Sequence, residues 1–260
     1  MSDSELLYEI KDGVGWVMLN RPQARNALTF AMYEGLAEIC RTVPTDGSVK
    51  CLVVAGAGEK AFAAGTDMTQ FRAFAKDQDA LDYEHRIDTV LGAVEACPIP
   101  IIAALSGACT GGGAGIAAAC DIRIATADLR FGFPIARTLG NCLSIANLSR
   151  LSALMGAGRV KEIIFTARLV GAEEARNAGL ISEIVEDHAA MMARAAELAA
   201  TLATHAPITL RTTKEALRRL RIEGAGADDR DLVLAAYMSE DFKEGLEAFL
   251  GKRKPEWSGR

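Results

Sequence analysis

The sequence predicts an α/β fold, and three observations carry that prediction. Short apolar runs rich in β-branched residues recur, each bounded by Gly, Asp or Pro. Amphipathic helical patterns lie between them, which is the alternation of layered α/β proteins. From about Asp187 the strand signal stops and only helical patterns follow.

Val14 to Leu19 reads as the first buried strand. Thr29 then stands where a helix N-cap belongs, ahead of Met32, Leu36, Ile39 and Cys40 at helical spacing. Cys51 to Ala55 is a second strand, and a helix is expected from about Gln78 to Cys97. Ile99 to Leu105 and Ile122 to Ala125 supply two more strands, with an Ala-rich helix start between them. The remainder reads as three successive helices, broken near Pro207 and at Glu223 to Ala227. The last carries Phe242, Leu246, Phe249 and Leu250 on one stripe, followed by Lys252, Arg253 and Lys254.

Half of the 260 residues are hydrophobic and 24% are charged, enough for one substantial core. A formal net charge of −5 argues against nucleic acid or an anionic membrane as the main partner, so an anionic ligand would need a local basic cluster. No apolar run reaches the ~18 residues of a membrane span. The opening MSDSELLYEIKDG has neither a basic region nor an apolar stretch, so no secretory leader is expected and a cytoplasmic location is. Six cysteines scattered singly are expected to be reduced core thiols, and no spacing suggests a metal site. Three histidines, none in a nucleophile motif, give a triad hydrolase poor support.

Two stretches carry chemistry. In IPIIAALSGACTGGGAGIAAACD, Ile99 to Asp121, a strand leads through Gly111, Gly112 and Gly113 into a helix. Backbone can approach a ligand closely there, and amides at a helix start favour an oxyanion or a phosphate. Packing of small residues is a weak rival, because three glycines weaken a helix. Gly113-x-Gly115-x-x-Ala118 also matches a loose dinucleotide fingerprint, but lies mid-chain and lacks the acidic residue on a following strand. In KAFAAGTDMT, Lys60 to Thr69, Gly65 permits an unusual turn, and Asp67 with Gln70 resembles a capping box. Convergence of the two turns would aim two N–H donors at one carbonyl oxygen.

Asn20-Arg21-Pro22 with Asn26-Ala27-Leu28, then AFAAGTD, GACTGGGAGIAAACDIRIA, TARLVGAEEARNAGLISEIV and SEDFKEGLEAFLGKRKPEW together resemble the crotonase (enoyl-CoA hydratase/isomerase) superfamily, from about Ile10 to Trp257. The resemblance implies a repeated β-β-α core over residues 1–200 that binds acyl-CoA. Residues 201–260 would form a C-terminal helical trimerisation region, giving a homotrimer or a dimer of trimers. It implies no prosthetic group, coenzyme A being part of the substrate. The oxyanion-hole amides would be those of Thr66 and Gly112, with Gly111 beside them. Arg25 to Leu28, including Ala27, and Ala63 to Met68, including Ala64, Gly65 and Asp67, would line the CoA arm. Phe249 and Lys252 would reach the CoA of a neighbouring subunit.

The resemblance breaks where the hydratases keep two glutamates, at Gly115 and Ile135, neither of which transfers a proton. Ile135 is then expected against the acyl group. Asp88 and Cys142 are catalytic candidates by register, with a solvated helix face and a core cysteine as their plainer readings. A poor hydratase is therefore expected. Decarboxylation needs no general base and fits; isomerisation and thioester hydrolysis stay open, as does a catalytically silent acyl-CoA-binding or scaffolding protein. A β-branched residue at Gly112 is expected to abolish turnover while leaving folding largely intact.

Overall fold

A computed structural model describes residues 4–72 and 74–260, so the first three residues of the opening stretch lie outside the described part. The chain begins with a hairpin: β1 (Leu6–Lys11) pairs antiparallel with β2 (Val14–Leu19) across Asp12-Gly13, both at positive φ. That dipeptide is a strong hairpin signal. Helix α1 (Phe30–Thr42) is capped by Thr29, whose hydroxyl accepts from the Met32 N–H at 3.3 Å, and it buries Met32, Tyr33, Leu36 and Cys40.

The β-β-α unit then repeats. β3 (Cys51–Gly56) and β4 (Ala61–Ala63) precede α2 (Asp77–Glu95). β5 (Ile101–Leu105) and β6 (Ala108–Thr110) precede α3 (Gly112–Ala119), and β7 (Ile122–Thr126) and β8 (Arg130–Gly132) precede the short α4 (Ile135–Thr138). After α5 (Ile145–Met155), α6 (Ala157–Thr166) and α7 (Ala172–Asn177), β9 (Glu183–Val185) completes the large sheet. The longer strands form that six-stranded sheet in the order β1-β2-β3-β5-β7-β9, parallel from β2 onward, while β4, β6 and β8 form a small parallel sheet.

Strands buried on both faces explain the unbroken apolar runs. Leu52, Val54, Ile101 and Ala103 face the main core with α1, α2 and α3. Their alternates Val53, Ala55, Ile102 and Ala104 pack under Met191, Ala195 and Ala199 of α8 (His188–Leu202).

Four helices, not three, follow Asp187, because the last segment divides into α10 (Arg230–Tyr237) and α11 (Glu240–Leu250) after α9 (Pro207–Glu223). Ser239 causes the division: its hydroxyl accepts from the Phe242 N–H at 2.9 Å and starts a new helix. Lys214 of α9 reaches Asp121 at 2.7 Å, and Arg221 pairs with Glu95, so α9 is tied to the core. The buried Asp241 carboxylate accepts from the Ser258 and Gly259 N–H groups and holds the tail back on α11.

Candidate active site

The first wall of the site is the turn after β4. Gly65 sits at φ +106, a conformation that L side chains rarely adopt. The chain from Arg25 to Leu28 runs alongside it: the Ala64 N–H donates to the Arg25 carbonyl, Leu28 N–H to Gly65, and Asp67 N–H to Leu28. Asn26 fixes that segment from beneath, fully buried, its carboxamide bonded to the Arg21 N–H and to the carbonyls of Ala57 and Ala61. Asp67 accepts from the Thr69 hydroxyl at 2.8 Å, from the Thr69 N–H and from Arg21 at 2.9 Å, and these bonds hold its carboxyl below the usual carboxylate range. Gln70 bonds the Phe30 N–H instead of completing the capping box.

The second wall is the turn from β6 into α3. Gly111, at φ +52, donates its N–H to the Gly132 carbonyl and lets the chain enter the helix. The two walls touch: a Cβ on Gly111 would lie 3.4 Å from Gly65 Cα, and one on Gly113 would lie 2.5 Å from the Ala63 carbonyl. Among the described residues, neither the Thr66 nor the Gly112 N–H has a protein acceptor. Below them lies Tyr33, fully buried. A Cβ on Gly112 would stand 1.7 Å from its hydroxyl oxygen, so a β-branched residue there would displace Tyr33 and destabilise the fold, against the expectation from sequence that folding stays largely intact. The Tyr33 and Thr66 hydroxyls are 3.0 Å apart, and those of Thr66 and Tyr83 are also 3.0 Å apart.

Both turns open on a cavity of about 380 Å³. Of the residues singled out from sequence, Ala64, Gly65, Thr66, Met68, Gly111, Gly112, Ile135 and Cys142 line it, together with Gly115. Arg25, Ala27 and Asp67 do not line it. Cys142 departs from expectation in being exposed, whereas the other five cysteines are buried. Phe249 and Lys252 lie elsewhere: Phe249 is 81% exposed on α11, in an apolar groove with Tyr237, Phe242 and Leu246.

Asp88, a catalytic candidate from sequence, does not line the cavity, although Ile87 and Leu91 on either side of it in α2 do; its carboxylate accepts from the Ser144 hydroxyl at 2.6 Å. The carboxylate that does line the cavity is Glu84, one turn earlier. Partial burial raises its pKa first and the nearby Asp88 charge adds to this, while the Ser144 N–H pulls the other way. No Lys, Arg or His lines the cavity among the described residues. Asn147 also faces it; its side chain is buried and its carbonyl oxygen has no partner. Glu84, Tyr83 and Asn147 were missed in the sequence. For the first two the signal was there, since they sit on the buried stripe of Ile87, Leu91 and Val94 at helical spacing.

The chain matches the enoyl-CoA hydratase/isomerase family over residues 9–260. It is 34% identical to a short-chain-enoyl-CoA hydratase of Clostridium acetobutylicum over 98% of both chains. With a 2,3-dehydroadipyl-CoA hydratase of Escherichia coli it shares 32% over 99% of this chain and 100% of the other. The crystal structure of an enoyl-CoA hydratase/carnithine racemase from Magnetospirillum magneticum superposes with a TM-score of 0.90 at 34% identity, covering 100% of this chain and 97% of that one. An enoyl-CoA hydratase structure from Bacillus anthracis gives 0.87 at 30% identity, covering 99% and 100%.

Proposed function

Because the chain belongs to the enoyl-CoA hydratase/isomerase family, we propose that it is an acyl-CoA enzyme that moves a proton along the acyl chain rather than adding water. The observation that carries this reading is one carboxylate, Glu84, in a cavity whose wall has two unpaired amides and whose positions 115 and 135 hold Gly and Ile. The thioester oxygen accepts from the Thr66 and Gly112 N–H groups. Such preorganised donors are worth ~3–4 kcal/mol each where negative charge develops.

With a 3-enoyl-CoA, Glu84 removes a proton from C2 and the electron pair passes into a dienolate, its charge on the thioester oxygen. The same carboxyl returns the proton to C4, so the C2–H bond breaks, a C4–H bond forms and the double bond moves to C2–C3. One base suffices. Hydration asks for more, because water must be held and deprotonated while C2 is protonated. Decarboxylation of a malonyl-type thioester is disfavoured by charge, since its carboxylate would enter beside Glu84 with no cation on the wall.

In this reading the CoA arm runs along Arg25 to Leu28 and Ala63 to Met68. The exposed faces of α9 to α11 support assembly into three or six copies, which would bring Phe249 and Lys252 to a neighbour's CoA. Among the described residues no helix is long and apolar enough to cross a membrane. The test is the rate of trans-3-hexenoyl-CoA isomerisation, read as new 2-enoyl thioester absorbance, against hydration of crotonyl-CoA by the same preparation. Isomerisation at ordinary enzyme rates, ~1 per second or faster, with hydration far slower is expected. Tight acyl-CoA binding with neither reaction would favour the silent binder.

A further inference from the structure

We propose that Tyr83 is a third hydrogen-bond donor to the thioester oxygen, held in the donating sense by Tyr33 acting through the Thr66 hydroxyl; this rests on the reading above that the thioester oxygen sits at the Thr66 and Gly112 amides. Three hydroxyls stand in a row at 3.0 Å spacings: Tyr33, Thr66, Tyr83. Each has one proton, so two bonds within the row leave one proton over.

Where that proton goes is decided by burial. Tyr33 is fully buried, is absent from the cavity wall, and has Thr66 as its one hydroxyl partner among the described residues. A spare proton at that end would be a buried, unpaired donor, which is costly. Tyr33 therefore donates to Thr66, and the spare proton falls at the cavity end. An anionic acceptor there aligns the row, Tyr33 to Thr66 to Tyr83 to substrate, and each bond strengthens the next. Neither tyrosine serves as a base, because burial raises both phenols above their ordinary pKa. Thr66 also contributes the amide, and its hydroxyl lies three bonds from that nitrogen; Tyr83, hydrogen-bonded to that hydroxyl, lines the same cavity as both amides. Gly112 belongs to this device too: any Cβ there would strike the Tyr33 oxygen at 1.7 Å.

Tyr83 is thus a catalytic residue and Tyr33 a positioning residue. The experiment uses Tyr83→Phe, Tyr33→Phe and the double variant, each checked for wild-type melting behaviour. Two readouts are taken: kcat and KM for 3-hexenoyl-CoA, and the red shift of bound para-dimethylaminocinnamoyl-CoA, which reports polarisation of the thioester carbonyl. For Tyr83→Phe, kcat should fall about 100-fold with KM little changed, as for loss of one oxyanion donor, and the red shift should shrink. Tyr33→Phe never touches substrate, yet should move both readouts in the same direction, and the double variant should be no worse than Tyr83→Phe. A full red shift and kcat in Tyr83→Phe, or additive losses in the double variant, would overturn the proposal. Absence of any red shift in the wild type would show that the thioester lies elsewhere, and the reading of the amides would fall together with this one.

Discussion

Glu84 is the one carboxylate on the cavity wall among the described residues, and its ionisation can be followed through activity. As a base it works only when deprotonated, so the rate should climb with pH about a midpoint above the ordinary glutamate value of ~4.3 and then level off. Removing the Asp88 charge with Asp88→Asn should move that midpoint down, because Asp88 is one of the causes of the raised pKa. Glu84→Gln should lower isomerisation by ~10²–10⁴-fold. Stability supplies a check with its own sign. A pKa raised by folding means that the native state holds the proton more tightly, so Glu84's contribution is present at low pH and is lost as pH rises through the folded value. Glu84→Gln should therefore melt higher than wild type at pH 7, and that gain should vanish near pH 4. Gly112→Val joins two losses: turnover disappears, and the fully buried Tyr33 ring must move, destabilising the fold by ~1–3 kcal/mol. A Gly112→Val protein that melts like wild type would contradict the packing described for Tyr33. Sequence exposed the glycines, because three in a row at a strand-to-helix turn have few other uses. Tyr33 and Asn147 gave no such signal, since a tyrosine or asparagine among apolar neighbours looks like any half-buried polar residue.

At the scale of elements, α2 and α3 meet over the cavity, and the missing hydratase glutamates become a question of room. A Cβ on Gly115 would lie 3.2 Å from Leu91 Cδ1 of α2. Leu91 must yield by a few tenths of an ångström, which a side-chain terminus can do. Ile135 begins α4, with its side chain buried against the cavity. Gly115→Glu combined with Ile135→Glu should therefore raise crotonyl-CoA hydration at least about tenfold, since each positioned acid–base group typically contributes ~10²–10⁴-fold. Loss of enoyl absorbance at matched folding measures it, and an unchanged rate would mean that the two positions no longer address the substrate. Most of the long strands and α1 were legible because the apolar runs of β2, β3 and β5 reach five residues or more and the helix carries a threonine cap. The hairpin strand β1 was missed although Asp12-Gly13 announces it. β4, β6 and β8 span three residues each, too short for any period to appear, and they are held by pairing in the small sheet. Ser239 was passed over as a cap because the stripe of Phe242, Leu246 and Phe249 continues the pattern before it.

The whole molecule leaves a broad apolar surface on its C-terminal helices. Leu217, Leu220, Val233, Leu234, Tyr237, Met238, Leu246, Phe249 and Leu250 are all exposed in the single chain. Apolar side chains exposed in such numbers on successive helices are what an interface between copies would bury, and closed symmetry is the usual form of such assembly. Light scattering at micromolar concentration should give three or six times the chain mass, and Phe249→Glu with Leu250→Glu should lower it. A monomer in the unaltered protein would contradict this. Assembly and chemistry meet in the central claim, that an enolate forms at the amides of Thr66 and Gly112 through Glu84. The most direct measurement is deuterium uptake by 3-hexenoyl-CoA in D₂O, followed by mass spectrometry of recovered substrate and 2-enoyl product. The wild type should place solvent deuterium in both, while Glu84→Gln, binding CoA equally well, should place none; uptake undiminished in Glu84→Gln, or none in a wild type saturated with ligand, would contradict the account.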